Sequence, residues 1–177
     1  AVWVATDTGL TRVAPETDSV EATIPLETSV ITNYSGVAAT GDAAWVVATD
    51  QTVTRVDAAS GVVSDPIELD LGAASFPAHI AATEDAVWVP GGDTLARIDP
   101  SSSSVSYIEV DCDLGGCESI AATADAVWLA DPQGDSVIRV DPDTNAVDDT
   151  IAVGRLPTGV AATPSAVWVV NQLDDTV

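Results

Sequence analysis

The chain has 177 residues, 46% of them apolar, enough for one domain with a sizeable core and too apolar for a disordered polymer. Its charge is lopsided: 28 acidic groups face five Arg and no Lys, a formal −23, which disfavours nucleic acid because binding phosphates needs basic groups. No apolar run approaches the roughly 18 residues of a membrane helix and no basic start leads into an apolar signal core, so membrane insertion is not expected.

From Ala1, AVWVA reads as a short strand, LTRVA from Leu10 as the next and SVEATIPL from Ser19 as a third, parted by the turn formers TDTG and PETD. From Ser35 four strands follow, GVAAT, AAWVVA, TVTRVD and VVSDPIELD, joined by segments as short as hairpins require. The pattern returns as HIAAT, AVWVP, TLARID and VSYIEVD, and again as SIAAT, AVWLA, SVIRVD and AVDDTIAV, before GVAAT and AVWVVN. We call the four positions A, B, C and D. Trp3, Trp45, Trp88, Trp128 and Trp168 all fall at one point of strand B, about forty residues apart, and such a period marks a repeat architecture. The repeats divide the chain at 1–34 (partial), 35–78, 79–117, 118–158 and 159–177 (partial).

Four short antiparallel strands per repeat, with no helical periodicity, predict an all-β propeller of four-stranded blades, about four of them covered. The Ala-Ala pairs of strand A, such as Ala121 and Ala122, suit the narrow end of a wedge, and the Trp of strand B fills the wider gap. All five Trp are expected to be buried between blades. Asp57 and Asp141 open tight C-to-D turns in which Gly61 or Asn145 takes a positive φ. Arg12, Arg55, Arg97 and Arg139 share one place in strand C and are expected to make interblade ion pairs or pairs with the Asp two residues on.

The stretch AVWLADPQGDSVIRVDPDTNAVDDTIAVGRLPTGVAAT, from Ala126, resembles the YVTN-type β-propeller repeat, related to the repeats of streptogramin lyases and surface-layer propellers. The resemblance implies blades of about forty residues, usually six to eight in a ring, and a secreted or cell-surface location. Strand B departs from it, with Val-Trp where the name-giving repeat has Tyr-Val. The chain has no Met and begins inside a repeat, so a trimmed piece of a longer ring is expected; otherwise self-assembly through its terminal strands would bury them.

Cys112 and Cys117 are the only cysteines, and with one distant His they do not make a four-ligand zinc site. A local disulfide, and with it an oxidising compartment, is the reading adopted. The acidity has two readings: a hydrated surface that keeps a protein soluble in concentrated salt, or a secreted protein whose many Asp serve β-turns.

Candidates for function are the residues that the repeat does not explain. Tyr34, Phe76, His79, Glu118 and Arg155 lie in the D-to-A connections, which emerge with the B-to-C turns around the channel mouth, the default ligand site for a protein, glycan or small molecule. Asp50, Asp93, Asp131 and Asp135 in the B-to-C turns are the candidate ligands for a divalent cation such as Ca or Mg. The reading adopted is a noncatalytic binding or scaffold module. The alternatives are a metal-dependent enzyme similar to the streptogramin lyases, with His79 and Glu118 as base and metal-linked carboxylate, or a component of an extracellular filament or surface layer.

Overall fold

The computed structural model describes residues 1–6, 9–26, 36–72, 77–112, 116–117 and 119–177. Among them every element is a strand and every pairing is antiparallel between neighbours in sequence. The first sheet holds β1 (Val2–Thr6), β2 (Gly9–Ala14) and β3 (Ser19–Ile24). The second holds β4 (Gly36–Ala39), β5 (Ala43–Val47), β6 (Thr52–Asp57) and β7 (Ile67–Glu68). The third holds β8 (Ala81–Ala82), β9 (Val87–Gly91), β10 (Thr94–Ile98) and β11 (Val105–Glu109), and the fourth β12 (Ser119–Ala122), β13 (Val127–Asp131), β14 (Ser136–Asp141) and β15 (Ala146–Ala152). The last holds β16 (Pro157–Thr163) and β17 (Ala166–Asn171), with a bridge from Asn171 to Thr176 beyond.

The strand register repeats one row of residues across each sheet. Ala38, Ala81, Ala121 and Ala161 of strand A stand directly opposite the Trp of strand B, and where strand C is present that Trp stands opposite its Arg. The smallest side chain thus sits at the inner end, where β4, β8, β12 and β16 touch in succession, and the largest sits one strand out. Gly36 opens β4 because a Cβ there would come within 2.5 Å of the Ala78 carbonyl oxygen, in the segment that leads to β8.

Successive sheets pack face to face. Trp3 shares a core with Ala44, Val46 and Val56 of the second sheet, Trp45 with Val87, Val89 and Ile98 of the third, and Trp88 with Val127, Leu129 and Val140 of the fourth. Each of these three Trp therefore covers the following sheet, because neighbouring side chains of a strand point to opposite faces and the Trp parity is the same in every repeat. Burying one such indole removes some 200 Å² from water, several kcal/mol at ~25 cal/mol/Å².

Two expectations need correction. Trp168 is 58% exposed and Trp128 only half-buried, whereas Trp45 and Trp88 are each 1% exposed. The reason is the same directional rule: Trp128 meets a two-stranded sheet, and Trp168 faces outward from the last one. The strand-C arginines do not use the Asp two residues on. Their guanidiniums lie over the Trp rings, with Cζ 5.4–6.0 Å from the ring centroids. Their carboxylates come from elsewhere: Arg12 pairs with Glu21 at 2.7 Å, Arg55 with Asp42 at 3.0 Å and Arg139 with Asp148. Asp57, Asp99 and Asp141 instead accept the N–H groups of their own turns. In those turns Gly61, Ser103 and Asn145 take positive φ, at the place predicted for Gly61 and Asn145.

In the second repeat the expected D strand is broken. Only Ile67–Glu68 pairs as a strand, with a bridge from Val63 to Val56, because Pro66 has no N–H to give the ladder. Cys112 and Cys117 are joined, as expected, and Cys112 packs in the core between the third and fourth sheets.

Candidate functional site

Antiparallel alternation brings the B-to-C turns and the D-to-A connections to one end of every sheet, and hydrogen bonds tie the two together. The N–H just beyond strand D donates to a carbonyl of the B-to-C turn in three successive repeats: Leu69 to Gln51, Val110 to Asp93 and Val153 to Asp135, each at 2.8–2.9 Å. Gln51 and Asp135 take positive φ there, a conformation that turns their carbonyls toward the neighbouring segment.

Side chains extend the same lattice. Gln51 Oε1 accepts from Leu71 N–H at 2.9 Å and its Nε2 donates to the Gly72 carbonyl at 2.7 Å. Asp135 Oδ1 accepts from Leu156 N–H at 2.8 Å, and Leu156 itself takes positive φ. Arg155 donates through Nε to Asp174 Oδ1 at 2.8 Å and through Nη2 to the Leu173 carbonyl at 3.1 Å, while Asp174 Oδ2 accepts from Arg155 N–H at 2.7 Å. The hydrogen bond and charge of Asp174 raise the Arg155 pKa, with a further contribution from Asp135, and the Arg155 N–H and guanidinium lower that of Asp174.

The predicted site residues therefore separate. Arg155, a ligand candidate, is held by Asp174 and clasps the connection between the fourth and last sheets onto the turn after β17. Asp50 Oδ1 accepts from Thr52 N–H and hydroxyl within its own turn. Asp131 is 3% exposed and accepts from Gly134 N–H at 3.1 Å, again locally. His79 is exposed, two residues before β8. Tyr34, Phe76 and Glu118 lie outside the described residues, and with Glu118 goes the geometry of the His79 and Glu118 pair. Among the described residues no three His, Cys, Asp or Glu side chains converge to hold a metal ion, so Asp50, Asp93, Asp131 and Asp135 form no group of three.

Asp93 has a different setting. It is exposed, at the end of a cleft of about 530 Å³ between β11 and β15, lined also by Thr94, Glu109, Val110, Asp111, Ile138, Val147 and Thr150. Glu109 and Asp111 were not singled out from the sequence, since in the repeat they read only as the end of a D strand. Gln51 and Asp174 were missed too. The signal for both was available: each is a polar side chain in the turn that faces a D-to-A connection.

No protein-family model matches the chain, and no curated protein sequence does. Solved structures do. A virginiamycin B lyase from Staphylococcus aureus superposes with a TM-score of 0.72 over 94% of this chain and 58% of its own, at 17% identity. A streptogramin B lyase gives 0.60 over 72% and 44%, also at 17% identity. The computationally designed Ika4 protein gives 0.66 over 80% of this chain and 86% of its own, at 14% identity. The chain thus spans only about half the length of the two lyases. At these identities the likeness is one of fold, and together with the up-and-down four-stranded sheets it makes this chain a β-propeller.

Proposed function

We propose that this chain is a noncatalytic binding or scaffold module whose ligand face is the end where B-to-C turns and D-to-A connections meet. The observation that carries the reading is the use made of the polar side chains there: Gln51, Asp135, Arg155 and Asp174 are spent on fixing one loop against another. Such a lattice makes a rigid platform, and rigid platforms bind with little ordering cost. A protein, glycan or small molecule is the ligand class proposed, and an extracellular or cell-surface setting goes with the Cys112–Cys117 disulfide. The acidic surface suits a high-salt environment, where screening removes its self-repulsion.

The likeness to a virginiamycin B lyase supports a second reading, an enzyme acting on a related substrate with His79 and Glu118 at the mouth. One experiment separates the two. The chain is incubated with virginiamycin B and Mg²⁺ and the substrate followed by chromatography, beside binding measurements on protein and glycan arrays. The binding module predicts intact substrate and an array signal that falls when Asp135→Ala loosens the loops. Substrate turnover that is lost with His79→Ala would replace this reading with the enzyme.

A further inference from the structure

One arginine of the strand-C row lacks the anion that its equivalents hold. Arg12 is paired with Glu21, Arg55 with Asp42 and Arg139 with Asp148, each guanidinium lying over the Trp of its own sheet. Arg97 lies over Trp88 in the same way, yet among the described residues it has no ion-pair partner, and its buried Nε has no acceptor. Asp85 has the place of Asp42 in the repeat but forms no ion pair with it.

The neighbouring strand leaves the place accessible. Ser106 of β11 is the cross-strand partner of Arg97, so the two side chains share one face of the third sheet. Ser106 is exposed, and its hydroxyl makes no hydrogen bond among the described residues. A guanidinium supplies donors only, and the hydroxyl adds one more. A buried donor without an acceptor is rare in proteins and points to a water or an ion at the site. A water would satisfy Nε but leave the charge unpaired, where the other three arginines each have a carboxylate.

We propose that Arg97 and Ser106 bind a small monovalent anion, chloride or the carboxylate of a ligand, which takes the part that Glu21 and Asp148 play in the first and fourth sheets. The guanidinium donates to it and the Ser106 hydroxyl adds a second contact; charge-assisted hydrogen bonds of this kind are the strong ones. The Trp88 ring already holds the guanidinium, so little ordering remains to be done on binding. The net charge of −23 repels anions at low salt, and occupancy should rise as salt screens it. Arg97 stands two residues before Asp99, at the C-to-D end of β10, whereas the B-to-C turns and D-to-A connections lie at the other end. The site therefore does not rest on the ligand face proposed above.

The test is ³⁵Cl NMR of the 177-residue chain in NaCl from about 0.1 to about 1 M, over which the Debye length shortens from ~10 to ~3 Å. A chloride linewidth in excess of the protein-free solution, saturating as NaCl rises, is expected. Arg97→Met should remove the excess. Ser106→Glu should remove it too, by setting a tethered carboxylate in the place of the anion, and it keeps the proposal testable should Arg97→Met fail to fold. Arg55→Met should leave the excess unchanged, because that arginine is already held by Asp42. Circular dichroism checks that each variant is folded. Sodium acetate added at constant chloride separates the two sources: broadening that acetate reverses assigns the site to a carboxylate, and broadening that persists assigns it to chloride. A wild-type linewidth no greater than that of folded Arg97→Met or Ser106→Glu would overturn the proposal, leaving a water at Nε. A loss in Arg55→Met as large as in Arg97→Met would overturn it as well.

Discussion

Arg97 lies over Trp88 with its Cζ 5.4 Å from the ring centroid, and its buried Nε has no hydrogen-bond acceptor among the described residues. Among the described residues it also has no ion-pair partner, unlike Arg12, Arg55 and Arg139. The cause is a difference in the neighbouring strand. In the first and fourth sheets a β-bulge places an extra residue opposite the arginine, Glu21 between Val20 and Ala22 and Asp148 between Val147 and Asp149, and that extra residue is the ion-pair partner. The third sheet pairs without a bulge and sets Ser106 opposite Arg97.

Ser106→Glu should therefore supply the missing carboxylate on the same face of the sheet. A cross-strand pair of this kind is worth up to about 1 kcal/mol. Urea unfolding of Ser106→Glu, Arg97→Met and the double variant would measure it, and the gain is expected to vanish when Arg97 is Met. Equal effects of Ser106→Glu with and without Arg97 would show that the guanidinium does not reach the new group.

The tryptophans should form a graded series although the repeat makes them equivalent. Trp88→Ala removes a side chain that is 1% exposed and should cost about 3–5 kcal/mol. Trp168→Ala, in the 177-residue chain, should cost less than about 0.5 kcal/mol, as for an ordinary surface change. Trp128→Ala belongs between them. Denaturant midpoints of the three variants check the order.

Asp99 should be the acid-sensitive turn. Its carboxylate accepts from the Ser101 hydroxyl and from the Ser102 and Ser101 N–H groups, which lower its pKa from 3.8 to about 2. The folded value lies below the unfolded one, so this contribution is present above about pH 4 and is lost as pH falls toward 2. Discharging the acidic surface acts in the opposite sense over the same range, since it relieves repulsion. Comparison with Asp99→Asn isolates the local effect: the variant should lose less stability than the wild type between pH 4 and 2. Carboxyl NMR should place the Asp99 midpoint near 2. A midpoint at the ordinary Asp value would contradict the turn geometry.

Reduction of Cys112–Cys117 should destabilise the junction between the third and fourth sheets. The bridge closes a loop of sequence separation 5, which the chain-entropy model values at about 2 kcal/mol. Gly116, at φ 78° and next to Cys117, lies so close to Gly92 that an added Cβ would come within 2.9 Å of its Cα, so this end of the bridge sits against the turn after β9. Thermal melts with and without reductant are the measurement, and unreduced mass spectrometry should find no free thiol.

The order of strands, the C-to-D turns at Asp57 and Asp141 and the disulfide were legible because each depends on neighbours in sequence. The period of the Trp phrase sets the sheets, an Asp at the start of a turn caps that turn, and two Cys five apart can reach each other without help from the fold. The candidate site was less legible. Arg155 stood out as a cation outside the repeat, yet its partner Asp174 is a turn residue 19 positions away, and only the packing of the connection against that turn joins them.

By itself, then, the sequence determined which face of each strand is apolar and where the Trp must sit, since side chains alternate with a period of two and the repeat holds that parity from Trp3 to Trp168. What only the tertiary structure decided is which way each Trp looks and what meets it. Trp88 and Trp128 occupy the same place in nearly the same phrase, but one packs into the core shared with the fourth sheet and is 1% exposed, and the other is only half-buried. Burial is a property of the pair of sheets, and so is the tie of Arg155 to Asp174; no pattern within one repeat contains its neighbour.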